Sequence, residues 1–249
     1  MIPRIVCLIP AYNEAPRIAT VMAAVEGHPL LAEVLVIDDG SNDGTAEIAK
    51  KFAAKVIRTP GNLGKTRALA FGLHRITADY VLLLDADLIG LTEKEVSKLL
   101  RPVIEGQAGA SISLRGNAPL IWRAIGLDYI SGERVVPLAL LINHLGQLET
   151  LPRFGFEVFL NRLLIIADMR VAIVPWPAVA SPSKASKRGL LAGIKADISM
   201  IADIFQTITP LQSLQQIRDL RRLSQRPPTR RPQTFKTRTK SEDAGDVSV

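Results

Sequence analysis

Cysteine is almost missing from this chain: Cys7 is the only one in 249 residues. A lone cysteine inside an apolar run excludes an intramolecular disulfide framework and fits a reducing compartment. Long hydrophobic runs are missing too. The longest candidates, Val135–Ile142 and Leu163–Ala167, fall far short of the ~20 residues of a spanning helix. No secretory leader is visible before the first strand pattern, so the expected location is the cytoplasm. Aromatic residues are sparse, with 2 Trp, 3 Tyr and 7 Phe. No base-stacking platform is evident, and nucleic acid is not an expected partner. The G-x-G-x-x-G fingerprint that would follow the first strand of a dinucleotide-binding fold is also absent.

A charge surplus is absent from most of the chain and concentrated in the rest. Residues 1–183 hold 18 Lys/Arg and 18 Asp/Glu. Residues 184–240 hold 13 Lys/Arg against 3 Asp, and residues 241–249 carry three acids and no base. The overall charge of +7 therefore belongs to the C-terminal quarter, which seeks phosphate-bearing or acidic partners.

What is present is an alternation of strand and helix patterns. Strands are expected at Arg4–Pro10, Val34–Ile37, Lys55–Arg58 and Tyr80–Leu84. Helices are expected at Glu14–Glu26, Thr45–Phe52, Gly64–Arg75 and Thr92–Ile104, the last opening on a Thr92/Glu95 capping box. Strands separated by helices imply a largely parallel sheet. Further on, Gly109–Leu114 reads as a strand, and Val135–Leu145 and Glu157–Ala167 as helices. Arg170–Val174 reads as a late strand ended by Pro175 and Pro177. Lys184–Thr209 and Leu211–Leu223 have helical amphipathic spacing, while residues 225–249 are rich in Pro, Arg, Thr and Lys and read as a disordered tail.

Three polar clusters follow three of the strands: Pro10-Ala-Tyr12-Asn13-Glu14, Asp38-Asp39-Gly-Ser-Asn-Asp-Gly-Thr45 and Asp85-Ala86-Asp87. Open α/β sheets bind ligands at the carboxyl ends of their strands, so a parallel sheet gathers all three into one site. Taken singly, Asp-Gly-Ser and Asn-Asp-Gly are also ordinary turn chemistry. Two aspartates at one buried strand end are costly without a cationic partner. A divalent metal carrying a phosphorylated ligand supplies one, since Mg²⁺ takes one or two carboxylates plus phosphate oxygens. Gly61-Asn-Leu-Gly64-Lys65-Thr66 is not a P-loop, because Thr59 stands where that motif needs glycine. It still places glycine amides and Lys65 at a helix start, where either a phosphate or a plain helix entry fits.

These motifs, in this order and spacing, resemble the family 2 glycosyltransferases, inverting enzymes of the GT-A fold. The resemblance rests on Ile9–Glu14, Val36–Thr45, Asn62–Lys65 and Leu84–Leu88, and covers about residues 4–115. It implies an α/β, Rossmann-like, mostly parallel sheet flanked by helices. It implies that Pro10, Tyr12 and Glu14 line a nucleotide pocket and that Asp39 or Asp38 bonds the base or ribose. Asp85-Ala86-Asp87 would be the D-x-D element, with Asp87 on Mg²⁺ or Mn²⁺ and Asp85 near the ribose or sugar.

The second half resembles the polyprenyl-phosphate (dolichyl-phosphate) mannose or glucose synthases. The matching residues are Ser113-Leu-Arg115, Asp128-Tyr-Ile-Ser-Gly-Glu-Arg134, Gly155-Phe-Glu157 and Ser183-Lys184. Glu133 departs from that pattern, which usually has an aromatic there. For a hydroxyl acceptor, Glu157 or Asp128 is the expected general base, with Glu133 a third candidate. A phosphate acceptor needs cations instead, from Arg115, Arg134, Lys184, Lys187 and Arg188.

The expected organisation is a catalytic domain over 1–182, with a nucleotide-sugar half (1–115) and an acceptor half (116–182). A helical segment over 183–224 would lie on an anionic membrane surface, followed by the tail. The expected activity is hexose transfer from a UDP- or GDP-sugar to polyprenyl phosphate on the inner face of a membrane. A soluble or glycan hydroxyl acceptor and a nucleotidyltransferase are the alternatives.

Overall fold

A computed structural model of the chain describes residues 2–151, 155–182 and 209–228. Its centre is a seven-stranded sheet in the order β3-β2-β1-β4-β6-β5-β7. The strands are β1 (Ile5–Ala11), β2 (Glu33–Asp38), β3 (Lys55–Arg58), β4 (Tyr80–Leu83), β5 (Ala110–Arg115), β6 (Arg134–Pro137) and β7 (Val171–Trp176). Every pairing is parallel except those of β6, which runs antiparallel to both β4 and β5.

The helices are α1 (Ile18–Val25), α2 (Thr45–Ala49), α3 (Lys65–Leu73), α4 (Glu93–Ile104), α5 (Leu120–Ile125), α6 (Leu138–Ile142), α7 (Leu145–Leu148), α8 (Gly155–Ile166) and α9 (Pro210–Ser224). The α/β fold with a mostly parallel, helix-flanked sheet is the one the resemblance implies.

Strand side chains alternate between the two faces of the sheet, and each face has its own core. Ile5, Cys7, Ile9, Val34, Val36 and Leu82 pack with α1 and α4 on one face. Val6, Leu8, Leu35, Ile37, Val81 and Leu83 pack with α3 and α8 on the other. Burial on both faces is why these strands are nearly continuous apolar runs. Each fully buried Leu or Ile contributes roughly 1.5–3 kcal/mol. Burial also drives the Cys7 thiol up, above the ordinary thiol range, so it packs as an inert core residue.

Three local readings are corrected. Val135–Leu145 is not one helix: Val135 and Val136 belong to β6, and the helical part is broken into α6 and α7. Pairing with β4 and β5 overrides the local pattern there. β7 runs through Pro175 to Trp176, which an edge strand tolerates because one of its sides needs no ladder donor. Thr92 caps no backbone amide in α4, and its hydroxyl meets the Glu95 carboxylate instead. The capping box lies at α9, where Thr209 accepts from the Gln212 amide and Gln212 reaches back to the Thr209 amide.

Of the expected membrane-facing segment, residues 183–208 lie outside the described residues, as do 229–249 of the tail. The helix expected at Leu211–Leu223 is α9, and it packs against α8 and β7 with Leu220 and Leu223 buried. Its far end is tied down by Arg226, whose two Nη atoms bond the Asp168 carboxylate at 2.7 and 2.6 Å. Leu211 and Leu214, at its start, remain exposed. Among the described residues, no helix is long and apolar enough to cross a membrane.

Candidate active site

The loops after β1, β2 and β4 meet at the carboxyl edge of the sheet, around a cavity of about 220 Å³. Pro10, Ala11, Tyr12, Glu14, Asp39, Lys65, Asp85, Ala86 and Asp87 line it. A larger hollow, about 520 Å³, lies elsewhere, between α4 and the edge strand β7. Its lining includes Lys98, Arg101, Glu105 and three prolines but no paired carboxylates, so the chemistry lies with the smaller cavity.

Many of the strand-end polar groups serve the loops themselves. The Asn13 amide donates to Ser41 Oγ (2.9 Å), and the Asn42 amide donates to Asn13 Oδ1 (3.1 Å). The Glu14 amide donates to Thr45 Oγ1 (2.8 Å), and the Ala15 amide to Asp43 (3.1 Å). The first two clusters are thus stitched together, which fixes Tyr12 and Glu14 at the mouth of the cavity. Asp38 is fully buried. It accepts from the Ser41 amide at 3.1 Å and faces Arg58 Nε at 3.2 Å, so it braces the turn and does not line the cavity. Asp39 does line it, but its oxygens accept from Thr59 Oγ1 (2.9 Å) and from the amides of Leu63 (2.9 Å) and Gly64 (2.8 Å). The amides ahead of α3 therefore already hold a carboxylate.

The floor of the cavity is acidic. Lys65 Nζ lies 2.7 Å from Asp85 Oδ1 and 3.0 Å from Glu157 Oε1. Burial, the largest influence on Lys65, works against its charge, but the two carboxylates outweigh it and raise its pKa. Burial likewise works against an ionised Asp85, yet Lys65 and Arg115 hold it below the ordinary carboxylate range. Asp87 has no ion-pair partner among the described residues. Burial, then the charges of Asp85 and Glu14, push it up to about 6 against the pull of Arg17.

Behind the floor lies a buried polar network. Arg115 places Nε and Nη2 each 2.9 Å from Asp128 Oδ2, with Glu133 Oε2 at 3.5 Å. Glu133 Oε2 also accepts from Ser113 (2.9 Å) and Ser131 (2.8 Å). Burial raises the Asp128 pKa, against the pull of Arg115. Arg134 is fully buried and donates to the carbonyls of Ser131 (2.6 Å) and Tyr129 (3.1 Å) and to Asn161. Burial lowers its pKa.

The structure thus brings Pro10, Tyr12, Glu14, Asp39, Lys65, Asp85, Ala86 and Asp87 together at the cavity. Glu157 reaches it through Lys65. Asp38, Asp128 and Arg134 lie in the packing, and Arg115 is nearly covered. Lys184, Lys187 and Arg188 lie outside the described residues. The chain approaching them is anchored where Ser181 exchanges bonds with Asn117 (2.6 and 3.2 Å) and meets Arg115 Nη1. Sequence reasoning missed Asn161 and Gly132. Asn161 stood four residues after Glu157, on the same helical face, and Gly132 lay inside an element already singled out.

The residues present fit a divalent cation. Among the described residues, seven carboxylates (Glu14, Asp39, Asp85, Asp87, Asp128, Glu133 and Glu157) line the cavity or the network behind it with four cations, Arg17, Lys65, Arg115 and Arg134, leaving a surplus of three negative charges. Among the described residues, no cluster of three or more His, Cys, Asp or Glu forms a protein cage for a metal. That matches the Mg²⁺ regime, in which one or two carboxylates share the ion with substrate phosphates.

Fold and cavity together define the class: a GT-A-type sheet with an acidic D-x-D element at its carboxyl edge. The chain belongs to glycosyl transferase family 2, whose family model matches residues 6–162. It is 42% identical over 107 residues to the glycosyltransferase AglJ of Haloferax volcanii, a match covering 42% of this chain and 34% of that protein. It is 33% identical over 94 residues to the dolichyl-phosphate beta-glucosyltransferase ALG5C of Trichomonas vaginalis, covering 32% of this chain and 28% of that protein. The chain therefore spans about a third of the length of these curated relatives. Among solved structures it is similar to glucosyl-3-phosphoglycerate synthase from Mycobacterium tuberculosis in complex with Mn²⁺ and UDP-glucose. The TM-score is 0.62 at 25% identity, over 82% of this chain and 79% of that one.

Proposed function

We propose that this chain is a metal-dependent inverting glycosyltransferase that moves a hexose from a UDP- or GDP-sugar to a lipid-linked phosphate such as polyprenyl phosphate. The observation that carries the donor chemistry is Asp87: a carboxylate at the cavity with no ion-pair partner among the described residues, its pKa pushed up to about 6 by burial and by Asp85 and Glu14. Asp87, with Asp85 beside it, would hold Mg²⁺ or Mn²⁺ together with the donor's diphosphate. When bound, the metal neutralises charge developing on the leaving nucleoside diphosphate. Tyr12, exposed at the mouth, offers an aromatic face for the base, and Pro10 and Glu14 complete that wall. Membership in the family sets nucleotidyl transfer aside.

The acceptor reading rests on which carboxylates are already engaged. Asp128 is buried against Arg115 and Glu157 is engaged by Lys65, so neither stands ready to take a proton from a hydroxyl. An acceptor that is already an anion needs no base. The similarity to a dolichyl-phosphate glucosyltransferase supports the same choice. The exposed Leu211 and Leu214 and the basic C-terminal quarter support attachment to the inner face of an anionic membrane.

The test is nucleoside diphosphate release from a panel of UDP- and GDP-sugars with Mn²⁺ or Mg²⁺, with and without vesicles carrying polyprenyl phosphate. Release that needs both metal and lipid phosphate is the expected result. Metal-dependent transfer to soluble alcohols, indifferent to lipid, would remove the lipid-carrier reading and leave the transferase.

A further inference from the structure

Lys65 stands where the two halves of the molecule touch. It opens α3 on the nucleotide-sugar side, while Glu157 lies in the first turn of α8, 92 residues further along the chain. Its ammonium is shared between Asp85 (2.7 Å) and Glu157 (3.0 Å), and neither carboxylate has another hydrogen-bond or ion-pair partner among the described residues. A third segment closes the arrangement. A Cβ on Gly132 would stand 2.7 Å from Lys65 Nζ and 2.9 Å from each Asp85 oxygen. A side chain there would push the ammonium or the Asp85 carboxylate from its place, so this arrangement of the pair depends on glycine at 132.

A carboxylate that served as a free general base would sit with its oxygens open to an acceptor. Glu157 is instead buried, with its side chain 8% exposed, and is bonded to a cation that already faces the donor cavity. We propose that Glu157 is a positioning residue that acts through Lys65. It shares the ammonium with Asp85, at 3.0 Å against 2.7 Å, and so sets the charge that the donor's diphosphate and metal meet. Gly132 supplies the clearance. The inference rests on the donor reading above and goes beyond it by making the Glu157–Lys65–Asp85 bridge the point at which the acceptor helix tunes donor binding. Without Glu157 the ammonium is no longer divided between two carboxylates and serves Asp85 alone. The cost then falls on donor affinity, not on the bond-making step.

A double-mutant cycle tests this, because residues that act as one unit give non-additive losses. The readouts are UDP-glucose affinity with Mn²⁺ by calorimetry, the kcat and KM of UDP release, and melting temperature as a check on folding. Glu157→Gln is expected to weaken donor affinity about fivefold, with kcat at saturating donor within about threefold of the parent. Lys65→Met is expected to cost more, and the double variant to match Lys65→Met within about twofold. Lys65→Arg is expected to recover part of the affinity. Gly132→Ala, with Glu157 intact, is expected to reproduce the affinity loss, and it serves if a Glu157 variant does not fold. Losses that multiply in the double variant would overturn the proposal. So would a fall in kcat of a hundredfold or more in Glu157→Gln at unchanged donor affinity, the signature of direct action on the reacting groups. A parent protein that binds neither UDP-glucose nor GDP-mannose with Mn²⁺ would overturn the donor reading and this proposal with it.

Discussion

The two halves of this sheet place the same residue types in opposite circumstances. In the N-terminal half, β1, β2 and β4 end in loops whose acids Glu14, Asp39, Asp85 and Asp87 line a cavity. Further along the chain, Asp128, Glu133, Arg115 and Arg134 are nearly or fully covered and mostly spent on one another and on nearby carbonyls. The first arrangement leaves Asp87 without an ion pair among the described residues, at a surface where a cation can reach it. The second pairs its charges through Arg115 and leaves only Asp128 Oδ1 and Glu133 Oε1 without hydrogen bonds among the described residues. A strand-end acid thus lines the cavity where it is partly open, as Asp87 does, and braces the packing where it is covered, as Asp38 and Asp128 do.

The largest expected effect attacks the open half. Asp87→Ala should lower metal-dependent turnover by about 10³-fold or more, in the range seen when a charge-stabilising group is lost. It should leave the melting temperature unchanged or slightly higher. The reason is the sign of the shift: a carboxyl whose folded pKa is raised favours the fold at low pH, and that contribution is lost as pH rises through about 6. Steady-state kinetics and thermal melts on the same preparation check both statements. A lower melting temperature with turnover retained would make Asp87 a brace after all.

The closed half should fail in the other way. Arg134→Leu removes a buried cation with three acceptors, Ser131, Tyr129 and Asn161. It should cost about 3–5 kcal/mol of stability, measured by denaturant unfolding, while the molecules that remain folded still bind donor. If instead the variant melts normally and loses only activity, Arg134 reaches substrate and the contrast between the halves is wrong.

How legible this was varies between the halves for a physical reason. β1, β2 and β4 were readable because strands buried on both faces are unbroken apolar runs, and the Asp85-Ala-Asp87 pair at the end of one has no cheap structural use. β6 was not readable. Its two valines run on through Pro137 into Leu138–Ile142, and a single apolar stretch of that length does not distinguish strand from helix. Only pairing with β4 and β5 decides it. Asp38 and Asp39 could not be told apart in sequence either. Asp38 is the last paired residue of β2, so its side chain follows the sheet's alternation into the interior. Asp39, one residue on, reaches the loop before α3. The D-x-x-S-G-x-R element was recognisable, but its direction was not. Residues 128–134 form a motif whose polar groups point mainly at each other.

A pH series sharpens the contrast at intermediate size. With Asp87 titrating at about 6 in the metal-free protein, Mn²⁺ must displace a proton below that pH. Affinity for Mn²⁺ with UDP should fall about tenfold between pH 7 and pH 5. The acids of the closed half contribute no such dependence if they do not touch the metal, and Asp128→Asn should leave the slope in place.

The smallest effect concerns α9, docked on α8 and β7. Thr209→Ala removes the α9 capping box and should cost about 1 kcal/mol, read as a small fall in melting temperature with donor affinity unchanged. A larger loss of activity than of stability would tie α9, through the Tyr129–Gln216 bond of 2.7 Å, to the acceptor side of the reaction.

The most direct test of the open half is calorimetric titration of UDP into the protein with Mn²⁺, repeated with excess chelator and with Asp87→Ala. Binding that requires the metal and is lost in the variant is the predicted result. UDP binding of equal strength with chelator present, or in Asp87→Ala, would contradict the assignment of Asp87 and its neighbours to a metal-held nucleotide diphosphate.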